Sequence, residues 1–143
     1  MEELRCIRAT KLTDVACCYS VRSDVFIDGQ GIPHDVERDG LDDDCVHFLG
    51  RTGRTPIAAA RLLPRGDTAK VQRVAVRAHY QKTGAGRQIM ETIIDYARHD
   101  GFTQVVLGSQ VTVVDFYEKL GFVPFGDQYE DAGIPHQNMR LAL

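Results

Sequence analysis

Apolar residues along the chain fall into short alternating runs and two helical stripes, and these mark out most of the secondary structure. Leu4–Ala9 alternates loosely and predicts a first strand. Thr13-Asp14 then opens an amphipathic segment through Val15, Tyr19, Val21 and Val25, with Thr13 as its N-cap. The Gly31-Ile32-Pro33 sequence enforces a break after Asp28-Gly29. Residues 46–51 and 56–63 read as two strands turning at Thr52-Gly53, and residues 70–76 as the next strand. Ile89, Met90, Ile93, Ile94 and Ala97 recur at spacings of three and four, which predicts the strongest helix of the chain, stopped by Gly101. Residues 103–107 read as a buried strand. Thr112, with Asp115 as its partner, caps a short helix that turns Val113, Phe116, Tyr117 and Leu120 inward and places Gly121 at C′. Residues 122–125 and 136–143 read as two last strands flanking a loop at 126–135. No repeat or linker interrupts this order, which predicts one domain over residues 1–143 built on a mixed α/β sheet, with the long helix as a crossover.

Composition narrows the picture. At 143 residues, 43% hydrophobic and 26% charged, the chain can build one ordinary core. A formal net charge of −3 and the lack of a basic stripe argue against nucleic-acid binding. The start MEELRCIRATKL is unlike a signal peptide, and no apolar run reaches the ~18 residues of a spanning helix, so no membrane role and a cytoplasmic location are expected. Cys6, Cys17, Cys18 and Cys45 lack metal-ligand spacing and read as reduced thiols, with no metal expected. Residues 35–44, DVERDGLDDD, hold six acids and one arginine, so a solvated loop or short helix that stays out of the core is expected.

The chemistry concentrates where the 70–76 strand runs into the strongest helix. Gly84 and Gly86 remove side chains where a ligand would meet the backbone, and first-turn N–H groups have no partner inside the helix. Arg77, Lys82 and Arg87 add local positive charge, so the turn suits a diphosphate. It is not a P-loop, which needs GK[ST] where this chain has Gly86-Arg87-Gln88. It is not a dinucleotide fingerprint either, since Ile89 stands at the third glycine and no acid follows the next strand. Purely structural glycines are the remaining alternative.

Gln81-Lys82-Thr83-Gly84-Ala85-Gly86 resembles the Q/R-x-x-G-x-G/A acetyl-CoA motif of the GNAT N-acetyltransferases, and it follows a Val74-Ala75-Val76 strand as in that family. Phe116-Tyr117-Glu118-Lys119-Leu120-Gly121-Phe122 resembles the family's second signature. Val25-Phe26-Ile27, Gln30, Ile32-Pro33, Glu37, Asp39, Asp42 and Gly133-Ile134-Pro135-His136 are similar to the small bacterial ElaA/YjcF-type branch, with Gly29 where that branch commonly has glutamate. The second signature usually has asparagine where this chain has Gln110. The resemblance implies a mixed, mostly antiparallel sheet of about six or seven strands, a V-shaped splay between two parallel strands, and about four flanking helices.

It also implies a reaction: acetyl transfer from acetyl-CoA to a primary amine of a small molecule or peptide, directly in a ternary complex. On this reading Val74, Ala75, Val76, Gln81, Lys82, Thr83, Gly84, Ala85, Gly86, Arg87, Gln110, Phe116 and Tyr117 bind the cofactor, with the amides of 81–86 on the diphosphate. Tyr117 protonates the departing thiolate, and Glu37 and Arg73 are further catalytic candidates. Strict alternation puts Arg73 on the face of Val71 and Ala75, where it lines the acceptor cleft or supports the sheet. The general base is left open among Glu37, Asp39, His47, His79, His136 and a water chain. The alternatives are a non-catalytic acyl-CoA-binding or regulatory domain and a protein-interaction domain on the same fold; the protein is expected as a monomer or homodimer.

Overall fold

The computed structural model describes residues 3–143. Seven strands make one sheet: β1 Leu4–Ala9, β2 Val46–Thr52, β3 Thr55–Arg65, β4 Thr68–Val76, β5 Gln104–Gln110, β6 Val123–Asp131 and β7 Ile134–Ala142. Their order is β1-β2-β3-β4-β5-β7-β6, and every neighbouring pair is antiparallel except β4 with β5. That parallel pair is joined through helix α3, Ala85–His99, as a crossover must be. Helices α1 Leu12–Arg22, α2 His34–Glu37 and α4 Val114–Lys119 complete the frame.

Two cores result, one on each face of the sheet. The apolar stripe of α3 (Ile89, Met90, Ile93, Ile94, Ala97) packs with Tyr117, Phe122 and the inward residues Phe48, Leu62, Val71, Val105, Leu107 and Met139. On the opposite face α1 brings Cys18 and Val21 onto Leu49, Ala59 and Ala75, with Phe26 from the segment that follows α1. That segment, Ser23–Asp28, continues α1 as a π-helical turn. Gly29 closes it, at a place where a Cβ would lie 2.5 Å from the Val25 carbonyl oxygen.

The pairing of β4 with β5 covers only Thr68 to Val71 against Gln104 to Leu107, and beyond Val71 the two strands separate. The cause lies on the other edge of β4. Ala59 faces Ala75 and Arg61 faces Gln72, so Ala60 alone stands against both Arg73 and Val74. Arg73 is the extra residue of this bulge and has φ +59°, a left-handed conformation that costs a non-glycine residue about 1–3 kcal/mol. The bulge bends β4 away from β5 and opens the V.

Four expectations are corrected. Arg73 does not share a face with both Val71 and Ala75, because the bulge resets the alternation and those two fall in different cores. Neither Thr13 nor Thr112 caps a helix: Lys11 stands at the N-cap of α1, and a 3-10 turn at Val111–Val113 leads into α4. Val113 is 42% exposed instead of inward. Residues 126–135 are mostly strand, since β6 and β7 extend to a tight turn at Ala132-Gly133 with an irregular step between Phe125 and Tyr129.

Candidate active site

The mouth of the V is built by the turn between β4 and α3. A 3-10 turn at Ala78–Tyr80 and positive φ at Lys82 (+62°) and Gly84 (+89°) fold the backbone into a cup. The Gln81 amide is used up on the Ala78 carbonyl, but no acceptor among the described residues takes the amides of residues 82–87. The free run is therefore shifted by one from the expected 81–86. Six successive N–H groups thus stand open at the positive end of a 15-residue helix, where the field favours an anion. Lys82, Thr83 and Arg87 are exposed around it; Arg87 also pairs with Glu91 at 2.8 Å, and the Thr83 hydroxyl donates to the Tyr80 carbonyl.

The two signature segments meet here. A Cβ on Gly86 would lie 3.3 Å from the Phe116 ring and 3.7 Å from Val76 Cγ2, so Phe116 of α4 rests against the first turn of α3 beside the end of β4. Ala85 is buried beneath them. In β4, the Arg77 N–H donates to Ile57 O, so alternation turns the peptide groups of Val76 and Val74 toward the split and those of Ala75 toward β3. The Val76 carbonyl accepts from Gln81 Nε2 at 3.1 Å. At the far bank, Gln110 Nε2 donates to Gln30 Oε1 at 2.9 Å and ties the end of β5 to the loop after the π-turn.

Tyr117 lies on the inner side of α4, edge-on to Phe116 and Phe122. It is 7% exposed, and burial raises its pKa, so the phenol stays protonated at neutral pH. None of the described hydrogen bonds engages its hydroxyl. Among the described residues the only sealed side-chain polar atom without a partner is His47 Nδ1, which leaves the Tyr117 oxygen in contact with solvent.

Glu37 and Arg73 belong to a different structure. Glu37 is 1% exposed and Arg22 and Arg61 are 0% exposed, so part of the acidic run is core, contrary to its reading as a solvated segment. Arg22 reaches Glu37 Oε2 at 3.0 Å and Asp42 Oδ1 at 2.7 Å. Arg61 holds Asp39 at 2.6 Å, Asp42 at 2.9 Å and the Gln72 amide oxygen at 2.9 Å. Arg38 and Arg73 add to Glu37 at 3.0 and 3.1 Å, and Arg73 also binds the backbone carbonyls of Val36 and Glu37. His47 Nε2 donates to the Asp42 carbonyl at 2.8 Å. The hydrogen bonds from Arg61 hold the Asp39 carboxyl well below its ordinary range. Burial would raise Asp42, but its bonds to Arg22 and Arg61 outweigh that and lower it. Both Glu37 oxygens are occupied, which leaves no lone pair free for an incoming amine. The partners Arg22, Arg61 and Gln72 were missed from the sequence because nothing local marks them.

Among the described residues no group of three or more His, Cys, Asp or Glu side chains is arranged for a metal ion, and no helix is long and apolar enough to cross a membrane. A surface hollow lined by Gln104, Gly121, Val123, Arg140, Leu141 and Ala142 lies away from the glycine turn, on the β5–β7–β6 side of the sheet.

Comparison with known proteins agrees with this geometry. The family model for the acetyltransferase (GNAT) domain matches residues 31–143. Protein ElaA of Escherichia coli (strain K12) is 32% identical over 124 residues, covering 83% of this chain and 81% of its own, and its crystal structure matches with a TM-score of 0.82 at 27% identity over 98% and 99% of the two chains. YjcF of Bacillus subtilis, an uncharacterized N-acetyltransferase, is 30% identical over 122 residues, 85% of this chain and 87% of its own. The crystal structure of an acyl-CoA N-acyltransferase from Pseudomonas aeruginosa matches with a TM-score of 0.84 at 27% identity, over 98% and 99% of the chains. A chain with this splayed sheet, this glycine cup and these relatives belongs to the GNAT acetyltransferase family and resembles its ElaA/YjcF branch.

Proposed function

We propose that the protein transfers the acetyl group of acetyl-CoA to a primary amine of a small molecule or peptide, directly, with both substrates bound. The observation that carries this reading is the row of six unbonded amides at the mouth of the V, with Phe116 closing it. The residues present fit the ligand: amides 82–87 with Lys82 and Arg87 take the diphosphate, and the peptide groups of Val74 and the N–H of Val76 take the amide-bearing arm as a strand would, the Val76 carbonyl being held by the Gln81 side chain.

The chemistry follows from placement. The amine attacks the thioester carbonyl as a neutral species, and the charge that grows on the oxygen is met by a β4 amide next to the bulge. Tyr117, kept protonated by burial, donates to the departing sulfur. Arg73 and Glu37 act by holding the bulge in its strained shape, not by moving protons. A covalent cysteine route is disfavoured. Burial pushes the Cys6 thiol up to about 11 and Cys18 up to about 12, and raises Cys45, so these remain thiols and poor nucleophiles at neutral pH. The four free cysteines support a reducing compartment, the cytoplasm.

A second reading, a non-catalytic acyl-CoA-binding domain, draws on one observation: the acid expected on the acceptor side, Glu37, is saturated by arginines. Free-thiol release from acetyl-CoA with spermidine, glucosamine and an alanine-terminated peptide separates the two. Release with at least one acceptor supports the transferase. Tight cofactor binding without release from any of them supports the second reading.

A further inference from the structure

Resting on the transferase reading, the remaining question is which group receives the amine's proton, since Glu37 cannot. The cofactor turn opens α3 on one face of the sheet, which leaves the α1 face to the acceptor. There the strands beyond the splay present a polar strip in register: Gly108 beside Asn138, and Gln110 beside His136, on β5 and β7. Leu107 and Met139 point to the opposite core, which fixes the direction of this strip. From β6, Tyr129 lies across it, its hydroxyl over the Cα of Gly108 where any Cβ would collide, donating to Asn138 Oδ1 at 2.8 Å.

His136 stands in the middle of this strip. Its ring is stacked on Tyr129 at 5.8 Å between centroids, 27° from parallel. Nδ1 lies 2.7 Å from the Ile134 carbonyl, which can only accept, so Nδ1 carries the proton. That fixes the tautomer in the neutral ring: Nε2 holds a lone pair, and none of the described hydrogen bonds uses it. The groups facing the ring are the Tyr129 phenol from β6, with Asp131 beyond it at the hairpin tip, the Gln110 amide from β5, and Gln30 behind Gln110 from the loop after the π-turn. Burial, then Asp131, raises the pKa of Tyr129, so it does not compete as a base. His79 is exposed but stands in the turn on the cofactor side, away from this strip, and His47 is 6% exposed with its ring bound to the Asp42 carbonyl.

We infer that His136 Nε2 is the general base of the transfer, held in its accepting tautomer by the Ile134 carbonyl and aligned by Tyr129. The amine nitrogen forms its bond to the carbonyl carbon, and the proton it sheds passes to Nε2. The C–S bond breaks, the sulfur keeps the electron pair, and Tyr117 supplies its proton. The phenolate then recovers a proton from the imidazolium through solvent, which leaves an amide, a free thiol and both side chains as they began.

The test is His136→Asn, whose side-chain amide can still donate to Ile134 but has no basic nitrogen. It is measured with acetyl-CoA and whichever of spermidine, glucosamine or the alanine-terminated peptide turns over fastest. A fall in kcat/KM of roughly 100-fold is expected, together with loss of the acid limb of the pH–rate profile, partial rescue by added imidazole, and unchanged acetyl-CoA affinity by calorimetry. Wild-type turnover with an unaltered pH profile in the variant overturns the base while leaving the transferase intact. A wild-type protein without affinity for acetyl-CoA overturns the transferase and the base together. Independently of activity, nitrogen NMR of the labelled wild type must show the Nδ1–H tautomer at His136; an Nε2–H tautomer sinks the assignment.

Discussion

Two charged regions flank the split between β4 and β5, and they differ in how completely their polar groups are satisfied. In the cluster around Arg22, Arg61 and Glu37, the carboxylates of Glu37, Asp39 and Asp42 are each met by guanidinium groups, and Glu37 is shut off from water. At the start of α3, six amides have no protein partner, and the nearby Lys82 and Arg87 are exposed. A saturated polar cluster has nothing left to offer a ligand but resists deformation; an unsaturated one costs little while water serves it and binds strongly when water leaves. The first sets the shape of the V and the second fills it.

The bulge connects them. Arg73 adopts a backbone conformation that its own side chain disfavours, and its guanidinium is tied to Glu37 and to two carbonyls of the α2 segment. The strain is held by the saturated cluster, and the strained residue opens the groove that the unsaturated turn needs.

The comparison breaks most readily at Glu37. Replacing it with alanine leaves buried Arg22 with Asp42 as its one carboxylate and frees Arg38 and Arg73, and a loss of about 3–5 kcal/mol is expected in denaturant unfolding; a loss under ~0.5 kcal/mol would mean the cluster is not a stabilising unit. Next in size is Tyr117→Phe, for which kcat should fall roughly 100-fold while calorimetry shows unchanged acetyl-CoA affinity. Equal turnover by both proteins across the pH range would remove the tyrosine from the chemistry. Arg73 gives a finer test through two variants. Both Arg73→Ala and Arg73→Gly lose the ion pairs, but glycine relieves the left-handed backbone, so it should be the more stable by about 1 kcal/mol.

The smallest effect is in acid. The depressed Asp39 and Asp42 carboxyls stabilise the fold above their unfolded pKa, near 4, and that contribution is lost as pH falls through their lower folded values. Stability should therefore decline below about pH 4, less steeply in Asp39→Asn. An identical acid profile in that variant would place the sensitivity elsewhere.

The contrast between the regions also explains what the sequence could and could not reveal. The glycine cup is local: strand, turn and helix lie within residues 74–87, so the motif and the turn it makes could be read directly. The ion cluster is not, because Glu37 is 15 residues from Arg22 and 36 from Arg73, and Asp39 is 22 from Arg61. A run of acids without visible counter-charges reads as solvated. Strict alternation could not show that Val71 and Ala75 lie on opposite faces on either side of Arg73, because a bulge shifts the alternation by one residue and leaves no compositional mark. Residues 126–131 were taken for a loop because β6 is an edge strand, mostly exposed on both faces, so its polar sequence carries no period of two. The central sheet and α3, buried on one or both sides, showed through because burial imposes the pattern.

The most direct measurement is calorimetric titration of coenzyme A into the wild-type protein and into Gly86→Leu, whose side chain would enter the space between the α3 turn and Phe116. The wild type should bind one equivalent, and the variant should remain folded by circular dichroism but bind at least tenfold more weakly. No binding by the wild type, or equal affinity in both, would contradict the assignment of the open amides and the split above them as the cofactor site.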